Sequence, residues 1–294
     1  MTPGFDLLAQ QLLAGLASGA IYGLMALALV VIHQSTHHIN FAQGEMATFS
    51  TFIAWALLEA GLPYWAAVGL TVAGSFLVGV LIQSMLLRPL AGAPALSQIV
   101  VFIGLLLICH ALGGTLFDHT LRVLASPFPQ TAWYAGTYLP AHGVGTLVVV
   151  LVVSLVVFLA FRWTRLGLAM RAAALDPEAA RLVGIRVDRM LAAGWGRAAA
   201  IGAVAGVLIA PVVFLDPNMM TTILLYGFAA ALVGGIDNPW GALPGGIVVG
   251  VTENLLGAFV IGTEFKLSAA LLLILLMLLL RPQGLFGRKV VSRV

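Results

Sequence analysis

Charge is scarce in this 294-residue sequence: Asp, Glu, Lys and Arg together make up 9% of it, where an ordinary soluble domain carries about 25%. Hydrophobic residues fill 61%, and the mean hydropathy is +1.08. Too few polar side chains remain to coat a water-facing surface, so the one or two soluble domains that length alone would accommodate are excluded. Cysteine is nearly absent. Cys109 is the single one, which rules out an internal disulfide and says nothing of redox compartment. No glycine-rich loop ending in Lys-Ser/Thr is present, so ATP is not bound in that way. No nucleophile–base set stands out, and neither enzyme activity nor a cofactor is expected. Residues Met1 to Asp6 hold no Lys or Arg. They do not resemble the basic start of a cleavable signal peptide, so the first apolar run is expected to be retained. The pI near 9.4 invites a nucleic-acid reading. With a net charge of only +3, the basic residues are better read as topology signals, and no nucleic-acid partner is expected.

Long apolar runs are what the sequence has in abundance. A crossing helix takes roughly 20 mostly apolar residues. Nine runs are candidates: 7–32, 41–60, 64–87, 95–117, 143–161, 194–215, 219–236, 242–261 and 265–280. The run 143–161 and the leucine block 271–280 are the strongest. The weakest are 41–60, which contains Gln43 and Glu45, and the glycine-broken stretch 234–250. Irregular backbone at membrane depth is tolerated only where protein or water covers it. The expected fold is therefore an all-α polytopic transmembrane bundle of about 8–9 spans, with one or more broken or re-entrant helices. It forms a single transmembrane domain over residues 1–294.

Basic residues give the orientation, because Lys and Arg gather on the cytoplasmic side of span ends. Seven of the 14 lie between Arg162 and Arg197, with Asp176, Glu178 and Asp188 among them. Each such charge at the bilayer centre costs about 2.5–3.5 kcal/mol, so residues 162–193 are expected to be a cytoplasmic loop. Counting outward puts Arg88 and the tail Arg281, Arg288, Lys289 and Arg293 on the same side. The connection 118–142, with only Arg122 basic and with Pro127, Pro129, Gly136 and Pro140, falls outside. Lys266 lands at an outer span end, where one lysine can snorkel to water. The C-terminus is then cytoplasmic. The N-terminus is outside if all nine runs cross, and one re-entrant segment would reverse it.

Five features stand out from the apolar background. In the loop, Asp176 suits an N-cap, Pro177 the first helical position and Glu178 the positive end of the dipole. Gly184 suits the position that closes a helix. A helix of about two turns over 177–183 follows, either a docking element for a soluble partner or a solvated connector. Asn40, Gln43 and Glu45 make the start of the second span polar. Glu45 is a site candidate facing the bundle interior or a marker of the water interface. Glu253, followed by Asn254, lies halfway along its run, and an interhelical strut stands beside substrate contact as its reading. His33, His37 and His38 cluster at a span end, but with no obvious third ligand no metal site is assigned. Gly15, Ser18, Gly19 and Gly23 have the spacing that lets helices approach closely in lipid.

Five segments together resemble the permease subunits of the bacterial branched-chain amino acid ABC importers, specifically the H-type member of the paired permeases. They are Gly-Ala-Ile-Tyr-Gly-Leu (19–24), Ile-Asn-Phe-Ala-Gln-Gly-Glu (39–45) and Arg-Ala-Ala-Ala-Leu-Asp-Pro-Glu-Ala-Ala-Arg-Leu-Val-Gly-Ile (171–185). Gly-Gly-Ile-Asp-Asn-Pro-Trp-Gly-Ala-Leu-Pro-Gly-Gly (234–246), running into Glu253, and Arg-Pro-Gln-Gly-Leu-Phe-Gly (281–287) complete the set. The likeness covers nearly the whole chain in order. Two departures bear on substrate: the family usually has His where Gln43 stands, and a more glycine- and serine-rich segment where Asp237-Asn-Pro-Trp240 stands.

The resemblance implies an importer in the bacterial inner membrane, carrying branched-chain or related small amino acids or amides. Its partners would be a second permease, two ATP-binding cassette subunits and a periplasmic substrate-binding protein, with membrane lipid around them. It implies that segment 176–184 is the coupling helix, with Arg171, Asp176, Pro177, Glu178, Arg181 and Gly184 serving the ATPase contact. Tyr22, Asn40, Gln43, Glu45, Glu253 and Asn254 become candidates to line or support the pathway. A stand-alone ion-coupled secondary transporter is the alternative, with Glu45 and Glu253 as its coupling acids. A membrane enzyme built on the three histidines is a third.

Overall fold

A computed structural model describes residues 3–36, 39–90, 92–128 and 139–287. Among them eleven α-helices run in order: α1 Pro3–Thr36, α2 Gln43–Glu59, α3 Tyr64–Leu81, α4 Ala95–Phe117, α5 Ala141–Trp163, α6 Arg165–Leu175, α7 Pro177–Leu182, α8 Val187–Val213, α9 Met219–Gly234, α10 Pro239–Phe259 and α11 Lys266–Leu280. No strand occurs among the described residues, only an isolated antiparallel bridge between Arg122 and Leu215. All nine apolar runs are helical. Seven of the helices are long and apolar enough to cross a membrane by length and composition. The other two runs form the 17-residue α2 and the 16-residue α9.

Several boundaries differ from those expected. The stretch 162–193 is mostly helix, because α5 runs on to Trp163 and α8 begins at Val187. Asp188, Arg189 and Arg197 therefore sit on α8 rather than in a loop. Arg197 packs its guanidinium over the Phe161 ring and against the Met170 sulfur. α1 continues to Thr36 and takes in His33, while His37 and His38 lie outside the described residues. So do Pro129 and Gly136 of the 118–142 connection, and Arg288, Lys289 and Arg293 of the tail.

The chain divides into two compact units. The first comprises Met1–Val30, Ser126–Ser154 and Thr222–Val294. In it α1 meets α10 backbone to backbone. A Cβ on Gly15 would lie 2.8 Å from Val251 Cα, on Gly19 2.6 Å from the Gly246 carbonyl oxygen, and on Gly23 2.9 Å from Leu243 Cα. Glycines four apart share one helix face, and Gly246 and Gly250 answer them from α10. The irregularity expected in 234–250 narrows to a turn at 235–238. Gly235 there adopts φ +99°, Asn238 Oδ1 accepts from the Trp240 N–H at 3.1 Å, and Pro239 starts α10. The tail closes on this turn. Leu285 N–H donates to the Val233 carbonyl and Asn238 Nδ2 to that of Phe286, both at 2.8 Å.

The second unit comprises Val31–Ala125 and Leu155–Thr221, with α8 at its centre. Glycine again sets the spacing. A Cβ on Gly79 of α3 would lie 2.9 Å from Gly196 Cα, and one on Gly206 would lie 2.9 Å from the Ala47 carbonyl oxygen of α2. Trp195 is fully buried and stacks on Phe102 with ring centroids 5.8 Å apart. α3 does not end cleanly. It passes into a π-helical turn at Ile82–Leu87 and a 3-10 turn at Arg88–Leu90, a kind of irregularity often found at functional positions.

Overpacking the α1–α10 contact should cost about 1–3 kcal/mol. Gly19→Leu should lower the melting temperature of the purified protein, whereas Gly69→Leu, whose Cβ would meet nothing within 4 Å among the described residues, should not. Equal melting temperatures for the two variants would show that this contact does not hold the unit together.

Candidate functional site

The segment 164–188 is built by local chemistry. Thr164 Oγ1 accepts from Gly167 N–H at 3.0 Å and starts α6. Asp176 Oδ1 accepts from the N–H groups of Glu178 and Ala179 at 3.0 and 2.9 Å, and Pro177 occupies the first helical position. α7 ends one residue earlier than expected, with Val183 as C-cap. Gly184 follows with φ +84°, and Ile185 N–H returns to the Ala180 carbonyl at 3.0 Å. Ala173, Ala180 and Val187 form a small core beneath α7. Its outer side combines charge with apolar surface: Glu178 and Arg181 are exposed, while Leu175, Leu182 and Val183 are 87%, 88% and 76% exposed. Arg171 is also exposed, its Nε donating to the Gly167 carbonyl at 3.4 Å. Asp188 accepts from Arg88 at 2.9 Å and lies 3.9 Å from Arg181.

Inside the first unit, α1, α9, α10 and α11 bring polar groups together. Tyr22 and Tyr226 stack with centroids 4.6 Å apart, and their hydroxyls approach the Glu253 carboxylate. Lys266 does not snorkel outward as expected. It turns inward, with Nζ 3.8 Å from Glu253 Oε1 and 3.1 Å from Asn254 Oδ1. The route is opened by Gly257, where a Cβ would lie 2.6 Å from Lys266 Cε. Asn254 Nδ2 donates to Ser18 Oγ at 3.1 Å and to the Gly250 carbonyl at 3.0 Å. Tyr22, Glu253 and Asn254 are all buried, and Glu253 Oε2 has no hydrogen-bond partner among the described residues.

The second unit holds the other three pathway candidates. Asn40 and Gln43 are fully buried. Asn40 Oδ1 accepts from Ala42 N–H at 3.0 Å, its Nδ2 donates to Gln43 Oε1 at 3.3 Å, and Gln43 Nε2 donates to the Ala198 carbonyl of α8 at 2.9 Å. Both therefore tie the start of α2 to its neighbours. Glu45 points elsewhere: Oε2 is 3.2 Å from Nδ1 of His110 on α4. Tyr22, Glu253 and Asn254 belong to one unit, and Asn40, Gln43 and Glu45 to the other.

Sequence reasoning missed His110, Tyr226 and Lys266 as site residues. His110 had a signal, being an ionisable group inside an apolar run and so a functional candidate by default. Lys266 and Tyr226 had none, since only the fold places them beside Glu253. Among the described residues no group of three metal-ligating side chains occurs.

Apolar helices long enough to cross a bilayer, polar groups buried between them and a capped, charged helix between two spans define a multi-pass membrane transport protein. Residues 11–280 match the family described as "Branched-chain amino acid transport system / permease component", and the chain belongs to it. It is similar to the high-affinity branched-chain amino acid transport system permease protein BraD of Pseudomonas aeruginosa, 30% identical with 97% of each chain covered. It is also similar to LivH of Salmonella typhimurium, 29% identical over the whole of both chains. The probable permease LivH of Methanocaldococcus jannaschii is 30% identical over 90% of this chain and 88% of that one. Among solved structures, PsaBC from Streptococcus pneumoniae in complex with Fab shares the fold, with TM-score 0.50 at 11% identity, covering 92% of this chain and 91% of that one.

Removing Lys266 leaves the buried Glu253 without its cation, a change that costs a few kcal/mol. Lys266→Met should therefore destabilise the protein clearly, and adding Glu253→Gln should restore most of the loss. A double variant no more stable than the single one in thermal unfolding would show that the two side chains are not energetically coupled.

Proposed function

We propose that this permease works in an ABC importer of the bacterial inner membrane, pairing with a second permease and two ATP-binding cassette subunits and receiving substrate from a periplasmic binding protein. Branched-chain amino acids, or related small amino acids and amides, are its cargo, as the names of its relatives indicate for those proteins. The observation that carries the reading is α7. A helix of six residues is too short to persist on its own, yet this one is capped at both ends and fixed on its own small core. It presents Glu178, Arg181, Leu182 and Val183 outward. Apolar surface rimmed by charge is the chemistry of a protein–protein contact.

In this reading α7 is the coupling helix and docks on an ATPase subunit at the cytoplasmic face. Arg171, Glu178 and Arg181 supply the charged contacts, while Asp176, Pro177 and Gly184 fix the shape. The region 162–193 then faces the cytoplasm, as does the C-terminus, and 118–142 faces outward within a single permease domain. Tyr22, Glu253 and Asn254 line or support the pathway, and so does Glu45, with Asn40 and Gln43 bracing the start of its helix.

The test is a complex reconstituted in vesicles with its ATPases and binding protein. Uptake of labelled leucine should require both ATP and the binding protein. Charge reversal at Arg181 should leave assembly intact, since its exposed pair with Asp188 contributes at most about 1 kcal/mol, while substrate-stimulated ATP hydrolysis and uptake fall together. Wild-type stimulation in Arg181→Glu would remove α7 from the coupling. Glu45→Gln should slow uptake without weakening assembly, and a wild-type rate would free the pathway of that charge.

A further inference from the structure

The π-helical turn that ends α3 has a consequence outside the pathway. Between it and the start of α8 lies a cleft of about 240 Å³, lined by Phe76, Val80, Gln83, Arg88, Asp188 and Arg189, with Ser84, Ala192 and Ala193 completing the wall. Its chemistry is mixed in a specific way. Phe76, Val80 and the two alanines form an apolar floor. Arg88 and Arg189 are fixed cations. Asp188 is a carboxylate, and Gln83 brings a buried amide oxygen that has no hydrogen-bond partner among the described residues, on a residue only 5% exposed. A buried unpaired acceptor is costly, so a donor arriving there is favoured. A site for a simple anion would not set a carboxylate and an unpaired oxygen beside its arginines. Opposed charges over an apolar floor suit a zwitterion with an apolar body.

We propose that this cleft binds a free apolar α-amino acid as an inhibitory site for accumulated cargo, an inference that rests on the permease reading above. The ligand carboxylate meets Arg189 and Arg88, its ammonium meets Asp188 and the Gln83 oxygen, and its side chain covers Phe76 and Val80. The volume suits one small amino acid and is too small for a two-chain lipid. The route to function is Asp188, which in this structure holds Arg88 at 2.9 Å and stands 3.9 Å from Arg181 of α7. A ligand ammonium competes for that carboxylate, and its carboxylate competes for Arg88. Occupancy therefore loosens the link between the end of α3 and α7. Its wall includes Asp188, 3.9 Å from Arg181 of α7, so in the permease reading it samples the compartment into which cargo is released.

The reconstituted complex should take up leucine more slowly when leucine is preloaded on the α7 side. Neither 4-methylpentanoate, which lacks the ammonium, nor 3-methylbutylamine, which lacks the carboxylate, should slow it. Arg189→Ala and Gln83→Leu should each need about tenfold more internal leucine for the same inhibition, with uptake into empty vesicles unchanged. Equilibrium binding of labelled leucine to the purified full-length chain, without binding protein, should weaken by a similar factor in both variants. Inhibition that is the same in wild type and both variants, or that 4-methylpentanoate reproduces, overturns the proposal. So does leucine binding that neither variant weakens, or inhibition that tracks added phosphatidylethanolamine instead of leucine. A wild-type complex that takes up no leucine into empty vesicles counts against the permease reading itself. The binding measurement then decides the cleft alone.

Discussion

Where Gly19 lies against Gly246, no side chain separates α1 from α10, and everything polar in that unit depends on the closeness this gives. Lipid tails offer helices no hydrophobic reason to associate, so association in a membrane rests on close packing and interhelical hydrogen bonds. The glycines at 15, 19 and 23 supply the packing, and the residues between them supply the bonds. Ser18 and Tyr22 come off the same stretch of α1 and reach Asn254 and Glu253 because the two backbones touch. A larger residue at any of the three positions would hold the helices apart and leave those groups facing hydrocarbon. Gly257 extends the same device to a third helix by giving the Lys266 stem a groove across α10.

The second unit repeats the principle with different partners. Gly79 and Gly196 bring α3 onto α8, and Gly206 brings α2 there. Gln43 can then donate to the Ala198 carbonyl, an acceptor already inside a helix. Such a bond is available only when a side chain arrives within about 3 Å of a helix backbone. Trp195, one residue before Gly196, fills the space beside the narrow contact and carries Phe102 of α4 with it.

Whatever followed from local rules was legible in the sequence. All nine apolar runs became helices, and the capping residues of α7 gave its first residue and its last to within one position. These features depend on neighbours within a few residues, where dihedral preference and hydrogen-bond geometry decide. The polar interior was legible only in part. Glu45 and Glu253 announced themselves because an acid in an apolar run is costly, but their partners did not. His110 is 65 residues from Glu45 and Lys266 lies on a separate helix from Glu253, so neither pairing has a spacing rule. Lys266 was misread for the same reason. A lysine at a span end can extend to water or fold inward, and only Gly257 and the buried acid on α10 decide it. The π-turn after α3 left no mark at all, since residues 82–87 contain neither glycine nor proline.

The Glu253–Lys266 contact shows how such a unit can be firm without being closed. A buried pair in good geometry, with every oxygen satisfied, is a strut and resists change. This pair stands at 3.8 Å, one Glu253 oxygen has no hydrogen-bond partner among the described residues, and Lys266 divides its donors between Glu253 and Asn254. The lysine stem lies along a glycine groove, so its ammonium can shift without rearranging backbone. The glycine contacts cannot yield in that way, because their closeness leaves no rotamer to change. Rigidity therefore resides in the backbone seams, and freedom resides in long side chains laid over them.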